Sequence, residues 1–158
     1  MCEVISSGFA DFHSNLHKLS ILLIISRAFV DNHIGSILHG VKILVIDDNE
    51  DITLMLSKFF NSRGFETVVT TDPMEGLRQI QQEQYDVVLL DISMPIISGY
   101  NIINILATDG TLKNQNIFII SATAVHESQI KDLLRREGVN GFFKKPIELA
   151  ELLTVITS

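Results

Sequence analysis

The chain has 158 residues, of which 46% are hydrophobic and 20% are charged, and this composition excludes a chain that is disordered throughout. A length of this order fits one domain with a short extension. The formal net charge of −7 argues against direct binding to nucleic acid, which needs a basic surface. Because Cys2 is the single cysteine, an intramolecular disulfide is excluded, and we expect a cytoplasmic protein.

Residues 1–40 carry little charge and hold four of the five histidines. Their most apolar part, residues 21–30, is interrupted by Arg27 and is too short for a transmembrane helix, which needs about 20 apolar residues. The spacing of the apolar residues predicts an amphipathic helix. Its apolar face is expected to pack on the rest of the chain or on a second copy in a homodimer. The alternative interpretation is a wrongly assigned start, because the pattern that follows is complete without this extension.

Residues 41–158 show short apolar runs that alternate with helix-length amphipathic segments, and this pattern is typical of an α/β domain. The predicted strands cover residues 41–46, 65–70, 87–91, 117–120 and 141–145. The predicted helices cover approximately residues 51–62, 73–84, 99–109, 127–137 and 147–156. Five strands alternating with five helices predict a doubly wound parallel sheet, and right-handed crossovers put the carboxyl ends of its strands on one edge.

Turn and cap residues support these boundaries. Gly64 and Gly138 are predicted to end the first and fourth helices, because glycine readily adopts the left-handed conformation found after helices. Asp72 and Pro73 are predicted to be the N-cap and the first residue of the second helix. Pro146 is expected to open the fifth helix in the same way.

Polar side chains collect where the predicted strands end. Asp47 and Asp48 follow the first strand, Asp91 ends the third, Ser121 follows the fourth and Lys145 ends the fifth. Three carboxylates at one sheet edge repel one another unless a cation lies among them. Mg²⁺ prefers oxygen ligands and commonly binds one or two carboxylates together with phosphate oxygens. The pattern therefore predicts a site for Mg²⁺ and a phosphoryl group.

The chemistry of each side chain predicts its role at this site. Asp91 is the candidate nucleophile, because a carboxylate attacks phosphorus to form an acyl phosphate. Asp47 and Asp48 are the candidate metal ligands. The Lys145 ammonium and the Ser121 hydroxyl are expected to neutralise the phosphoryl oxygens. Each residue taken alone has an ordinary interpretation as a helix cap, a loop residue or a solvated strand end, and the combination favours the site.

Four segments of the chain resemble the receiver domain of two-component response regulators. They are Ile46–Asn49, Asp91–Pro95 with Gly99, Ser121–Ala122 and Lys144–Pro146. The resemblance covers approximately residues 41–156. It implies a flavodoxin-like fold with strand order 2-1-3-4-5, and transfer of a phosphoryl group to Asp91 from a sensor histidine kinase or a phosphotransfer protein.

The resemblance also implies roles for residues around Asp91. The metal ligands become Asp47, Asp48, Asp91 and the backbone carbonyl of Ser93. Ser121 matches the family's switch hydroxyl. Phe142 matches the switch aromatic residue, which is often Tyr, so that the hydrogen bond of a Tyr hydroxyl is absent here.

Two other functions stay open. One is an aspartate-nucleophile phosphatase of the haloacid dehalogenase type, but that class has a second acid two residues after the nucleophile, where this chain has Ser93. The other is an inert receiver-like interaction module, but such modules usually lose an acid or the lysine. The favoured interpretation is a switch and not a multiple-turnover enzyme. We expect such a switch to act without an output domain in this chain. It is predicted to bind an unidentified protein target through the fourth helix, fifth strand and fifth helix.

Overall fold

The computed structural model describes residues 40–122 and 127–156. The predicted amphipathic helix in residues 1–40 lies outside them. The described elements are β1 (Lys42–Ile46), α1 (Glu50–Asn61), β2 (Glu66–Thr70), α2 (Pro73–Gln82), β3 (Val87–Asp91), α3 (Gly99–Thr108), a 3-10 turn (Leu112–Asn114), β4 (Ile117–Ser121), α4 (Glu127–Leu133), β5 (Val139–Lys144) and α5 (Leu149–Ile156). Among these residues, no helix combines the length and the apolar character needed to cross a membrane.

The strands form one parallel sheet in the order β2-β1-β3-β4-β5, which confirms the predicted fold and strand order. Asp91 pairs with Ile120, and Ser121 pairs with Lys144. The strands therefore end together. We call the sheet edge at which β1 to β5 end the carboxyl edge, and the opposite one, at which they begin, the amino edge.

Two apolar cores lie on the two faces of the sheet. Side chains alternate along each strand, so that Leu44 of β1 faces one core and Ile43 faces the other. Helices α2, α3 and α4 cover the first face, and α1 and α5 cover the second. Full burial of a Leu or Ile side chain contributes about 1.5–3 kcal/mol, so these cores hold the helices against the sheet.

Cap residues act where the sequence predicted them. The Asp72 carboxylate accepts hydrogen bonds from the Met74 and Glu75 N–H groups, and Pro73 is the first residue of α2. The Asn49 side chain caps α1 in the same way. Gly138 lies between α4 and β5 with φ +98°, and an added Cβ would lie 1.9 Å from the Leu112 carbonyl oxygen.

The fourth helix and the fifth strand differ from their predicted bounds. Helix α4 ends at Leu133 and not near residue 137, because the N–H groups of Arg135 and Arg136 bond three residues back, to Asp132 and Leu133. Strand β5 begins at Val139, two residues before the predicted start. A register shift in its pairing with β4 leaves Asn140 without a partner residue on that strand. The shift interrupts the alternation of buried and exposed side chains from which a strand is predicted.

The prediction that Pro146 opens the last helix is wrong. Helix α5 begins at Leu149, and its first backbone bond runs from Leu152 N–H to Glu148 O. Pro146 follows a cis peptide bond and lies in the segment that leads from β5 to α5.

Candidate functional site

Three carboxylates meet at the carboxyl edge. Asp47 follows β1 directly and Asp91 is the last residue of β3, and these strands are neighbours in the sheet. Carboxylate oxygens of Asp47, Asp48 and Asp91 lie within 4.8 Å of one another. Asp47 and Asp91 are 0% and 2% exposed, whereas Asp48 is open to solvent. The predicted cluster therefore exists as a group of side chains, two buried and one accessible.

Lys145 supplies the positive charge of this cluster. Its Nζ atom lies 2.7 Å from Asp47 Oδ2 and 3.1 Å from Asp91 Oδ2. Lys145 is the first residue after β5. Its backbone N–H donates to the Ser121 carbonyl oxygen at 2.7 Å, which holds it against the end of β4. One ammonium thus faces three carboxylates, which leaves an excess of negative charge in a largely buried place.

Burial and charge act in opposite directions on the ionisation of this cluster. Burial raises the pKa of Asp47 above its ordinary value, and this exceeds the opposite effects of Lys145 and of the Asn49 N–H. Burial alone would lower the pKa of Lys145, but its contacts with Asp47 and Asp91 outweigh burial and raise it. The ammonium therefore stays charged, while the carboxylates remain incompletely neutralised.

One oxygen of the cluster lacks a hydrogen bond. Asp47 Oδ1 accepts the Asn49 N–H at 3.0 Å. Asp47 Oδ2 is buried, and its 2.7 Å contact with Lys145 does not have the geometry of a hydrogen bond. A buried carboxylate oxygen that lies beside two other carboxylates and is paired only with an ammonium shared with Asp91 matches the ligand preference of a hard divalent cation.

The loop after Asp91 shapes the site from one side. The Ser93 N–H donates to Asp91 Oδ1 at 3.3 Å, and the Gly99 N–H donates to the Ile92 carbonyl oxygen at 3.2 Å. A Cβ at Gly99 would lie 2.3 Å from the Asp91 carbonyl oxygen, so glycine allows α3 to begin directly against the end of β3. The sequence indicated Gly99 only as part of a motif. This close contact depends on tertiary packing and was not predicted.

Ser121 and Phe142 lie on the adjacent strands β4 and β5. Ser121 is fully buried, and its hydroxyl donates to the Ala122 carbonyl oxygen at 3.0 Å. Phe142 pairs with Ile119 and is 37% exposed, while Phe143 next to it is buried in the core. The ring of Phe142 therefore lies partly outside the core. Residues 123–126, which follow Ala122, lie outside the described residues.

The structure thus brings Asp47, Asp48, Asp91 and Lys145 into one cluster, and the Ser93 N–H donates a hydrogen bond to Asp91. Ser121 lies at the same edge. The buried Asp91 carboxylate therefore has the Lys145 ammonium on one side and the Asp47 and Asp48 carboxylates on the other. The acids suit a cation, and the ammonium suits an anionic group.

Known proteins share both the sequence pattern and the fold. The family model of the response regulator receiver domain matches residues 43–157. The CAI-1 autoinducer sensor kinase/phosphatase CqsS of Vibrio cholerae is 29% identical over 120 residues, which are 76% of this chain and 17% of CqsS. The chain therefore spans a small part of the length of this relative.

Solved structures agree with this match. The receiver domain of the Francisella response regulator 1452 has a TM-score of 0.65 and 30% identity, covering 74% of this chain and 93% of that chain. The receiver domain of the sensor histidine kinase PA1611 from Pseudomonas aeruginosa PAO1 has a TM-score of 0.61 and 24% identity, covering 74% and 94%. In that structure a magnesium ion is coordinated in the active site cleft. Since the receiver model matches most of its residues, this chain belongs to the family of response regulator receiver domains.

Proposed function

We propose that this chain is the phosphoacceptor of a two-component signalling system, and that Asp91 receives the phosphoryl group from a phosphohistidine of a sensor kinase or phosphotransfer protein. The observation that carries this proposal is the position of the Asp91 carboxylate. It is buried at the end of β3, 3.1 Å from the Lys145 ammonium and beside two further acids. The proposed place of action is the cytoplasm, where the kinase domains that form phosphohistidine have access to ATP.

The residues at the carboxyl edge fit a magnesium ion. Asp47 and Asp48 would hold it together with Asp91 and the carbonyl of Ser93, and Asp47 Oδ2 is a buried oxygen without a hydrogen bond. When bound, the ion supplies positive charge that offsets the carboxylates and the phosphoryl oxygens. The magnesium ion of the PA1611 receiver domain supports this assignment.

The transfer itself is a displacement at phosphorus. An Asp91 carboxylate oxygen forms the new O–P bond while the P–N bond of the phosphohistidine breaks, and the bonding electron pair leaves with the imidazole nitrogen. Lys145 keeps its charge, since its contacts raise its pKa, and it pairs with the phosphoryl oxygens. The Ser121 hydroxyl turns from the Ala122 carbonyl oxygen to a phosphoryl oxygen, which offers a stronger, charge-assisted hydrogen bond.

The movement of Ser121 links the site to a binding surface. Ser121 pairs with Lys144 of β5, so a shift at the end of β4 reaches the strand that carries Phe142. Phe142 then rotates inward, and the surface of α4, β5 and α5 changes for an unidentified protein target. The chain acts as a switch between two states that the phosphoryl group biases.

Acetyl phosphate tests this proposal without a protein donor. With Mg²⁺, the wild-type protein should accumulate acid-labile phosphate, and Asp91→Asn should take up none. Uptake at the wild-type rate by Asp91→Asn would refute the assignment. Rapid release of phosphate with no accumulation favours the phosphatase alternative, and no uptake at all favours the inert module.

We also propose that residues 41–158 fold without the extension of residues 1–40. The receiver model begins at residue 43, and the described residues after 40 supply apolar side chains to both cores. A protein truncated to residues 41–158 should unfold cooperatively in urea. A broad, non-cooperative transition would contradict this division.

A further inference from the structure

A network of polar side chains joins the end of α4 to α3. Arg136, in the turn after α4, donates from one guanidinium nitrogen to the Asp132 carboxylate at 2.9 Å and from another to Asn104 Oδ1 at 2.6 Å. The Tyr100 hydroxyl donates to the same Asp132 carboxylate at 3.4 Å, and the Arg136 guanidinium lies 5.5 Å from the centroid of the Tyr100 ring. Asp132 belongs to α4, whereas Tyr100 and Asn104 belong to α3. We call these four residues the α3–α4 network.

The geometry of Arg136 makes this network stronger than an ordinary surface ion pair. The Arg136 side chain is only 25% exposed, and its hydrogen bond to Asn104, which crosses from one helix to the other, is part-buried. Single exposed ion pairs contribute little to stability. An arginine that holds two acceptors at once contributes more, because its planar donors lose less freedom for each bond that forms.

The apolar anchorage of α4 is small. This helix has seven residues, and among its described side chains Ile130 and Leu133 are buried in the core. The ten residues of α3 bury three large apolar side chains, those of Ile102, Ile103 and Leu106. The polar contacts with the better anchored α3 are therefore an important part of what holds α4 in place.

Both helices of the network border the phosphoacceptor. Helix α3 begins at Gly99, directly against the end of β3, and α4 is the next helix after Ser121 at the end of β4. The network coexists with a Ser121 hydroxyl that bonds to the Ala122 carbonyl oxygen and with a Phe142 ring that lies partly outside the core. A shift of α4 against α3 by about 1 Å would take its hydrogen bonds beyond their normal range. The network therefore opposes such a shift.

We propose that the α3–α4 network is a latch, which holds α4 in the position that accompanies an outward Phe142 and so sets how readily the chain switches. Loosening the latch raises the fraction of molecules that adopt the switched state before Asp91 is modified. The apparent affinity for a phosphoryl mimic then rises, because it is proportional to the population of the competent state. This inference rests on the proposed function of Asp91, but it concerns the energy of switching and not the chemistry of transfer.

Beryllofluoride with Mg²⁺ tests the latch on the full chain, because this phosphate mimic needs no protein donor. Arg136→Met removes the guanidinium and keeps most of the side-chain stem. Its apparent affinity for beryllofluoride should rise by about fivefold, at the lower end of the usual coupling between two sites. Without the mimic, the amide signals of residues 127–133 should move part of the way toward their positions in the mimic-bound wild type. A purely structural role of Arg136 would not move them in that direction.

Arg78→Met is the matched control. Arg78 also pairs with a carboxylate and an amide, those of Glu75 and Gln82, but all three residues lie on α2. Its affinity for the mimic should stay within about twofold of the wild type, because an exposed pair within one helix does not join two elements. Asn104→Ala removes the acceptor on α3 and should also raise the affinity. In the double variant with Arg136→Met the two effects should not add, because both break the same bond.

Several outcomes would overturn the inference. A lower affinity in Arg136→Met would show that the network belongs to the switched state. An unchanged affinity, or an equal rise in Arg78→Met, would show that the contacts between α3 and α4 do not bias the switch. If Arg136→Met does not fold, Asn104→Ala distinguishes these results in the same way. Failure of the wild type to bind beryllofluoride would refute the function proposed for Asp91 and the latch with it, whereas a normal wild type with unresponsive variants would refute the latch alone.

Discussion

The two edges of the sheet carry similar charged side chains in different states. At the carboxyl edge, Asp47 and Asp91 are buried and share one ammonium, that of Lys145. At the amino edge, the half-buried Lys42 side chain places its ammonium 2.5 Å from Glu83 and 3.9 Å from Glu66, and both carboxylates are exposed. Both clusters have more carboxylates than ammonium groups, but the first buries Asp47 and Asp91, whereas the Glu83 and Glu66 carboxylates of the second are in contact with water.

Polar groups at the amino edge are also well satisfied. The Asp86 carboxylate accepts the Lys42 N–H at 2.7 Å, and the Asn116 amide donates to the Asp86 carbonyl oxygen at 2.8 Å. The Asn140 amide donates to Asn116 Oδ1 at 2.6 Å. Such an edge is structural. Charge alone therefore does not identify a functional site, whereas buried charge without full compensation does.

Alanine substitutions of one glycine at each edge should give the largest effects. A Cβ at Gly138, near the amino edge, would lie 1.9 Å from the Leu112 carbonyl oxygen at φ +98°, and one at Gly99 would lie 2.3 Å from the Asp91 carbonyl oxygen. We expect Gly138→Ala to lower the free energy of unfolding by about 3 kcal/mol, because a clash and backbone strain combine. Gly99→Ala should lower it by about 2 kcal/mol. Urea unfolding measures both values.

Phosphorylation should separate these two variants. Gly99→Ala pushes α3 away from Asp91, and small displacements of a reacting group are costly, so uptake from acetyl phosphate should fall by about tenfold or more. Gly138→Ala should keep the wild-type rate per folded molecule, because its clash lies at the other edge. Equal rates for the two variants would contradict the functional division of the sheet.

Replacement of one lysine at each edge should give the next largest effect. Lys145→Met leaves two buried carboxylates without their ammonium, and in the absence of metal it should lower the free energy of unfolding by about 2 kcal/mol. Lys42→Met should change it far less, because water screens an exposed ion pair. Thermal or urea unfolding in EDTA compares them. Mg²⁺ should restore part of the loss in Lys145→Met only, and equal losses would show that the two clusters do not differ.

The sequence predicted much of the fold because the central strands are buried on both faces. Strand β3 has the predicted bounds, since Val87–Leu90 is a continuous apolar run. Strand β5, at one side of the sheet, was predicted less well, because its start depends on irregular pairing with β4. The start of α5 was missed because Pro146, a common first helical residue, here lies in the connection that follows β5.

The same limit applies to the site. Parallel topology alone predicts that Asp47, Asp91 and Lys145 meet, since each follows or ends a strand. The topology does not predict that Asp48 is exposed while Asp47 is buried, because this depends on how the chain turns into α1. The backbone conformation of Ile96, with φ +68°, was not predicted either, because a β-branched residue rarely adopts a positive φ.

The aromatic side chain at position 142 should have a smaller effect on stability and a clear one on switching. Phe142 is partly exposed, so Phe142→Ala should lower the free energy of unfolding by about 1 kcal/mol or less. With beryllofluoride as a phosphate mimic, amide shifts in the wild type should spread into residues 127–156. In Phe142→Ala they should stay in the loops of the carboxyl edge, and Phe142→Leu should be intermediate. A wild-type response in Phe142→Ala would exclude this route.

The pair of Lys42 and Glu83 at the amino edge should give the smallest effect, and its sign depends on pH. The hydrogen bond from Lys42 lowers the pKa of Glu83 below its ordinary value of 4.5. The unfolded chain then binds the proton more readily, so the pair stabilises the native state above pH 4.5 and the contribution is lost as the pH falls through the native pKa. Glu83 in turn raises the pKa of Lys42 above 10.5, so the contribution of Lys42 is lost only as the pH rises through that raised value.

Between these limits the contribution of the pair is constant, and Glu83→Gln should therefore lower the melting temperature by a small, equal amount across neutral pH. The difference from the wild type should shrink as the pH falls well below 4.5, because protonated Glu83 no longer pairs with Lys42. In a Lys42→Met background, Glu83→Gln should make little difference at any pH, because the lysine that shifts the carboxylate is absent. A difference that grows in acid would mean that Glu83 destabilises the native state. The contrast between a stabilising, solvent-exposed cluster at the amino edge and a buried, incompletely compensated cluster at the carboxyl edge would then be wrong.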